Sequence, residues 1–353
     1  MSLPKSAQDA LVAMYEAQTG NRLKEMEKEN DMAVRPTEPY IIRIDGVAFH
    51  TFTKGVQLPF DSRITRAMVE TTKDLVSRFG PVTGYTQSDE ISLVFPAVEV
   101  SDDSPYLALL QSETAKKKSS KRQRVRAINQ SAAPSETNVS DGVADKLGHQ
   151  VSNRVHAYNG RIQKLASVTA SYASARFNYH LTTPATQWDT LATPQVRQRM
   201  IGHEAYFDSR VVILPDLMYS SESIFWRSNF DGMRNAISHI SQAHFSKSEL
   251  HGKTIRDQSE MLAGIGVDVM AVYGAKPLFG TWVKKEQYML PNAVNMKTGE
   301  PVVGPVQRTR LRAGSFNWAD WSEEERLRFT ILKYWPNDAK APPMDPLEPT
   351  DTE

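Results

Sequence analysis

The chain has 353 residues, with 42 Lys and Arg against 41 Asp and Glu for a formal net charge of +1, and it has no cysteine. Without cysteine, disulfide-stapled domains, thiolate zinc sites, iron–sulfur clusters and cysteine nucleophiles are excluded. At 40% hydrophobic and 24% charged residues, the composition is too polar for a membrane protein and too apolar for a disordered one, and the length fits one large domain or two ordinary ones.

Residues 1–34 read as an N-terminal helical extension, in which Leu11, Met14, Tyr15 and Leu23 mark an amphipathic helix. The segment carries no apolar run of signal-peptide length, and no stretch of the chain approaches the roughly 18 apolar residues of a membrane span. The expectation is a soluble, intracellular, cytoplasmic protein with no membrane contact. Over residues 35–97, Tyr40–Ile44 is a short strand, and Ile64, Met68, Thr71, Leu75 and Phe79 recur at helical spacing. Asp61 or Ser62 is available as N-cap, and Gly80-Pro81 stops the helix. Val82–Thr86 and Ile91–Phe95 then read as two strands joined by the polar turn Gln87-Ser88-Asp89-Glu90.

Residues 98–159 form an insert rich in Ser, Ala, Asn and Gln. Its run from Lys116 to Arg126 holds seven basic residues and no acid. It is a solvated linker or an arm for phosphate contacts through Lys116, Lys117, Lys118, Lys121, Arg122 and Arg124. Residues 160–216 resume with a helix marked by Leu165, Val168, Tyr172 and Arg176, then the strand Val211–Leu214. Residues 217–335 are expected to be helical from about Ser221 to Ala263 and β-rich afterwards, including Thr281–Lys284 and Val302–Arg312. Tyr219, Phe225 and Trp226 fit a core position better than a base-stacking surface. Residues 336–353 hold five acids, one Lys and five prolines, and read as a solvated tail. The order β-α-β-β-α-β predicts an α+β, ferredoxin-like sheet with a helical and β-rich C-terminal extension packed on it.

Asp45 stands at the carboxyl end of the first strand, followed by Gly46, while Asp89 and Glu90 fall in the turn between the second and third strands. In a ferredoxin-like sheet the first and third strands are neighbours, so these groups can converge on one edge. Two close aspartates repel unless a cation sits between them. A pair holding two magnesium ions about 3.5–4 Å apart suits phosphoryl or nucleotidyl transfer. Asp-Gly is equally a common turn dipeptide, and Ser-Asp-Glu is ordinary hairpin-loop chemistry.

RIDGVAFHTF at 43–52, followed by GYTQSDEISLVF at 84–95, resembles the tRNA(His) guanylyltransferase family, which includes tRNA-guanylyltransferase-like 3′–5′ polymerases. The likeness continues in GRIQKLASVTASYASARF at 160–177, YFDSRVVILP at 206–215 and FWRSNFDGMRN at 225–235. The resemblance implies a polymerase palm that adds nucleotides, G among them, to the 5′ end of tRNA or a tRNA-like RNA, using GTP and ATP and two magnesium ions. It implies Asp45 and Asp89 as metal ligands, Gly46 as a backbone-carbonyl ligand, Glu90 as a supporting acid, and His50 near the incoming nucleotide. Arg161 and Lys164 match the family's Arg-x-x-Lys and would grip a triphosphate. Ser88 would touch phosphate or cap the turn. A homotetramer is also implied.

Leu58-Pro59-Phe60-Asp61 stands where eukaryotic members carry Lys-Pro-Asn-Asp, and Asp231-Gly232-Met233-Arg234-Asn235 replaces their HINNLYN-type signature. Arg234 and Asn235 would contact RNA or nucleotide, or else cover a helix surface and cap. Arg308 and Arg310, in the basic stretch Arg308-Thr309-Arg310-Leu311-Arg312, resemble a phosphate-binding strand near the end of the family's fold. Two other functions share the same acids or fold: another two-metal palm enzyme, such as a nucleotide cyclase or a different transferase, and a non-catalytic RNA-binding palm.

Overall fold

The computed structural model of the chain describes residues 5–16, 19–100, 155–183, 188, 193–295, 298–337 and 341–346. The basic run of the insert, Lys116, Lys117, Lys118, Lys121, Arg122 and Arg124 included, lies outside the described residues. Helices α1 (Lys5–Glu16) and α2 (Thr19–Glu29) precede strand β1 (Tyr40–Gly46), the short helix α3 (Phe49–Phe52) and α4 (Ser62–Phe79). Strands β2 (Thr83–Gln87) and β3 (Glu90–Phe95) form a hairpin. After it come α5 (Ile162–Leu181), α6 (Pro194–Ile201) and β4 (Phe207–Ile213). The C-terminal part holds α7 (Met218–Trp226), a π-turn over Arg227–Asp231, α8 (Gly232–His244), α9 (Lys247–Leu250), α10 (Ile255–Gly264), α11 (Val269–Tyr273), α12 (Ala275–Phe279), β5 (Thr281–Leu290), β6 (Val306–Gly314) and α13 (Glu323–Ile331).

The six strands make one sheet in the order β4-β1-β3-β2-β5-β6, and every pairing in it is antiparallel. The extension was expected to pack on the sheet; instead β5 and β6 lengthen it. Gly84 to Thr86 of β2 pair with Thr281 to Val283 of β5, a contact about 200 residues apart in sequence that no local pattern could announce. The turn between β2 and β3 is also tighter than the sequence suggests. Gln87 and Glu90 are cross-strand partners, so only Ser88 and Asp89 turn the chain and Glu90 belongs to β3.

Local signals explain the helix that backs this edge. Asp61 caps α4 by accepting from the Arg63 amide at 3.0 Å, and Gly80 ends it in the left-handed region at φ 70°. Helices α4 and α5 cover one face of the sheet. Met68, Leu75, Leu165, Ala173 and Phe177 pack there against Ile42, Ile44, Ile91 and Leu93. The two helices are also tied by Asp74, which accepts from Arg176 at 2.5 Å and His180 at 2.6 Å. The other face carries an aromatic cluster of Trp282, Phe316, Trp318, Phe329 and Trp335 around Ile41, Tyr85 and Val94. Rings of this size bury large apolar areas, so the C-terminal part is held to the sheet mainly by this cluster. Among the described residues no helix is long and apolar enough to cross a membrane.

Part of the Pro-rich tail packs rather than being solvated. The Asp345 amide donates to the Ala313 carbonyl at 2.7 Å, its carboxylate meets Lys276 at 2.8 Å, and Trp335 Nε1 donates to the Pro342 carbonyl at 3.1 Å.

Candidate active site

Side chains alternate across a strand, so the register of the sheet decides which groups share a face. Asp45 is directly opposite Glu90 on β3 and Asp208 on β4. One step along, Arg43 is opposite Ser92 and Arg210. A row of acids therefore lies beside a row of arginines on the face that Ile41 shares with the aromatic cluster. Arg43 donates to Asp45 at 3.2 Å and also pairs with Glu90. Arg210 pairs with Asp208 at 3.2 Å and reaches Asp45 at 3.9 Å.

Asp89 joins this edge through the hairpin turn. The Gly46 amide donates to the Asp89 carbonyl at 3.1 Å, and Ser88, held at φ 54°, donates from Oγ to Asp89 Oδ1 at 3.0 Å. Burial pushes the Asp89 carboxyl above the usual range and the nearby Asp45 charge adds to the rise, against the Ser88 hydrogen bond. Gly46 has no room for a side chain. A Cβ there would lie 2.2 Å from the Phe49 ring, and that ring is wedged among Phe52, Phe177 and Phe207. His50 on α3, which follows β1, is exposed, with Nε2 3.1 Å from Thr51 Oγ1.

Glu90 is less free than a metal-facing acid. Besides Arg43 it holds Arg227 of the π-turn at 3.1 Å, and Arg227 in turn holds Asp231 at 2.9 Å. Burial pushes the Glu90 carboxyl up, against the hydrogen bond from Arg43 and the charge of Arg227.

Arg161 and Lys164 are not brought to this edge. Helix α5 starts beside the segment leading into β1, where Arg161 forms a bridge with Ala33 and an ion pair with Asp31. Further along, Thr169 Oγ1 lies 3.0 Å from Ser209 Oγ and Ser174 accepts from the Phe207 amide at 3.0 Å, so these two residues bracket the level of Asp208. Arg161 lies about ten residues of helix from that level and Lys164 about seven, a rise of roughly 15 and 10 Å, so neither adjoins Asp45 and Asp89 in a single chain. Arg310 is likewise committed, to Glu286 at 2.6 Å and to the Tyr288 ring at 4.4 Å, whereas Arg308 is exposed on the same strand. Arg234 and Asn235 are exposed on α8, Arg234 pairing with Asp231 at 2.6 Å.

Arg43, Asp208, Arg210 and Arg227 lie at the site without having been singled out in the sequence. Three of them were within reach of a period-two count: Arg43 is two residues before Asp45, and Asp208 and Arg210 occupy alternate positions of β4.

The sequence profile of tRNAHis guanylyltransferase (Thg1) matches residues 20–215. The uncharacterized protein R259 of Acanthamoeba polyphaga mimivirus is 27% identical over 281 residues, covering 78% of this chain and 80% of the viral protein. Among solved structures, a bacterial tRNA(His) guanylyltransferase (Thg1)-like protein in complex with GTP superposes with a TM-score of 0.53 at 23% identity, over 89% of this chain and 100% of the other. A bacterial Thg1-like protein in complex with ATP gives 0.51 at 24% identity, over 76% and 87% of the two chains. At these identities the structural likeness carries the fold alone. The profile match spans more than half of the 353 residues, and the chain belongs to the tRNAHis guanylyltransferase family of nucleotidyltransferases.

Proposed function

We propose that the protein is a magnesium-dependent 3′–5′ nucleotidyltransferase. It adds a nucleotide, G in the first instance, to the 5′ end of tRNA or a tRNA-like RNA, and its first four strands serve as a ferredoxin-like polymerase palm. The observation that carries the reading is the meeting of Asp45 and Asp89 at one edge of the sheet, where the Gly46 amide bonds the Asp89 carbonyl at 3.1 Å and the Asp89 carboxylate accepts from the neutral Ser88 hydroxyl at 3.0 Å. Folding alone gives no reason to hold two acids in that relation; a bound cation does.

Among the described residues no three His, Cys, Asp or Glu side chains gather closely enough to hold a metal by themselves. Two carboxylates nevertheless fit magnesium, which commonly binds one or two protein acids and completes its shell with water and substrate phosphates. Asp45 and Asp89 would hold the ions, with the Gly46 carbonyl beside them. The ions would lower the charge on the triphosphate and help the attacking hydroxyl ionise. The chain's own groups do the rest. Arg43 keeps Asp45 and Glu90 from facing each other uncompensated. Ser88 fixes the Asp89 carboxylate by its hydrogen bond. Arg210, half exposed at the rim, offers a cation to an arriving phosphate, and His50 stands exposed on α3 after β1.

In the transfer, the 3′-hydroxyl oxygen of the incoming nucleoside triphosphate attacks the 5′ phosphorus of the RNA. The leaving group is pyrophosphate from a triphosphate end, or the nucleotide used to activate a monophosphate end. The test is incubation with magnesium, each labelled nucleoside triphosphate, and 5′-mono- or triphosphorylated tRNAs, followed by mapping of the label. Label at the 5′ end is expected, and Asp89→Ala should abolish it while the thermal unfolding stays cooperative. Label confined to 3′ ends, cyclic nucleotide formed without RNA, or full activity in Asp89→Ala would overturn the proposal.

A further inference from the structure

Over α7 and the π-turn, the continuous helix that runs on into α8 turns large aromatics outward and small polar residues inward. Its buried face carries Ser220, Ser221, Ser228, Asn229 and Ala236 beside Ile224, none more than 6% exposed. Its open face carries Tyr219 at 47%, Trp226 at 51% and Phe230 at 58% exposure. Single exposed apolar residues are ordinary, but large aromatics outside with serines and an asparagine inside reverse the usual sorting. Trp226 and Phe230 are four residues apart and stay in file, because the π-turn between them uses slightly more than four residues per turn. The file is continuous with the acid site. Arg227, the residue after Trp226, lies 5.0 Å from the Trp226 ring centroid and bonds Glu90. Arg234, four residues beyond Phe230, is 60% exposed and pairs with Asp231 at 2.6 Å through one guanidinium nitrogen.

We propose that Trp226 and Phe230 form a stacking platform for two successive unpaired bases of the RNA, with Arg234 meeting the phosphate that follows. The proposal rests on the reading of the protein as an RNA 5′-end nucleotidyltransferase. Three features select this occupant. Aromatic faces stack on any base, and a guanidinium at the end of the file complements a phosphate. The file adjoins the residues that would act on the RNA end. The spacing also discriminates: one turn of helix separates the two rings, so each exposed ring takes its own base from an unpaired strand, and bases already paired and stacked in a duplex offer no free face. Glu222 is also exposed on this helix, between Tyr219 and Trp226, so the platform runs from Trp226 towards Arg234 and leaves Tyr219 outside it.

The test uses the full chain with a fluorescent oligoadenylate and a blunt RNA duplex of equal length, titrated against wild type, Trp226→Ala and Trp226→Phe. Stacking on one aromatic side chain corresponds to a loss of about 5- to 150-fold on truncation to alanine. Trp226→Ala is expected to weaken oligoadenylate binding by that factor and leave duplex binding within about twofold, while Trp226→Phe retains most of the affinity. Wild-type affinity in Trp226→Ala, or an equal loss on both RNAs, overturns the platform. So does a light-scattering mass that falls from oligomer to monomer in Trp226→Ala, since the file is then a contact between copies of the chain. Trp226 is exposed, so melting followed by circular dichroism should be unchanged and excludes unfolding as the cause. The two proposals fail separately. A wild-type protein that binds oligoadenylate through Trp226 but labels no 5′ end loses the enzymatic reading and keeps the platform, and the converse result does the opposite.

Discussion

Replacing Gly232 with alanine normally stabilises a helix by about 1 kcal/mol, yet here the sign should reverse. A Cβ on Gly232 would lie 1.7 Å from Gln87 Oε1 and 2.4 Å from Nε2. The Gln87 amide is fixed where it is: Oε1 accepts from the Tyr85 hydroxyl at 2.5 Å, and Nε2 donates to the Pro277 carbonyl at 3.1 Å and the Leu278 carbonyl at 2.9 Å. Making room means giving up these three bonds. At about 1 kcal/mol each, the loss is about 3 kcal/mol, and the helix-propensity gain leaves about 2 kcal/mol of net destabilisation. Urea unfolding of Gly232→Ala, Gln87→Ala and the double variant isolates the cause. Once Gln87 is truncated the obstruction is gone, so Gly232→Ala should then add about 1 kcal/mol. The argument fails if Gly232→Ala is at least as stable as wild type, or if its effect is the same in both backgrounds. Because Gln87 leads directly into the Ser88-Asp89 turn, nucleotide transfer should fall in Gly232→Ala as well.

Two further outcomes follow from the same geometry. Gly46→Ala forces a methyl against the locked Phe49 ring, so its thermal midpoint should drop by the equivalent of about 1–3 kcal/mol, and transfer should fall with the displacement of Asp45; an unchanged midpoint would refute the packing argument. For Asp74, burial raises its carboxyl but hydrogen bonds from His180 and Arg176 outweigh it and hold it below the usual range. Its contribution is thus present above the ordinary carboxylate value and lost as pH falls through the depressed one. Asp74→Ala should cost about 1–3 kcal/mol in urea unfolding at neutral pH, with the gap to wild type closing in acid; a gap independent of pH would refute the sign.

The sequence made legible whatever depends on neighbours along the chain. Asp61 and Gly80 bound α4 because capping is local, and alternation with turn residues marks β2 and β3. The adjacency of Asp45 and Asp89 followed from strand order, since the β-α-β-β-α-β pattern places the third strand beside the first. Long-range pairing left no such mark: nothing in Thr281–Val283 states that its partner is Gly84–Thr86. The exposure of Tyr219 and Trp226 was missed for a related reason. Helical spacing says which residues share a face, but not which face the rest of the fold covers, and here the covered face is the one of serines. Phe225, one residue earlier, does pack in the aromatic cluster and against Trp318. The Pro-rich tail was misjudged because its composition is that of a solvated segment, while its docking depends on Ala313, Lys276 and Trp335.

The placement of cations follows from a stricter constraint. An acid fixed at the end of a central strand needs its compensating charge on the same face, and on that strand the nearest such positions are two residues away. Arg43 meets the condition on the strand of Asp45, and Arg210 meets it on the neighbouring strand. A basic pair at the start of α5 cannot, because a helix returning across the sheet begins at the edge farthest from the acids. The same constraint explains why Glu90, lying between Arg43 and Arg227, anchors the π-turn and is poorly placed to hold a metal as well. Two guanidiniums already answer its charge, whereas Asp89 is met by a serine hydroxyl and a second acid. Of the four carboxylates on this edge, Asp89 is left with the largest uncompensated charge, and it is the one whose removal should matter most to a bound cation and least to the fold.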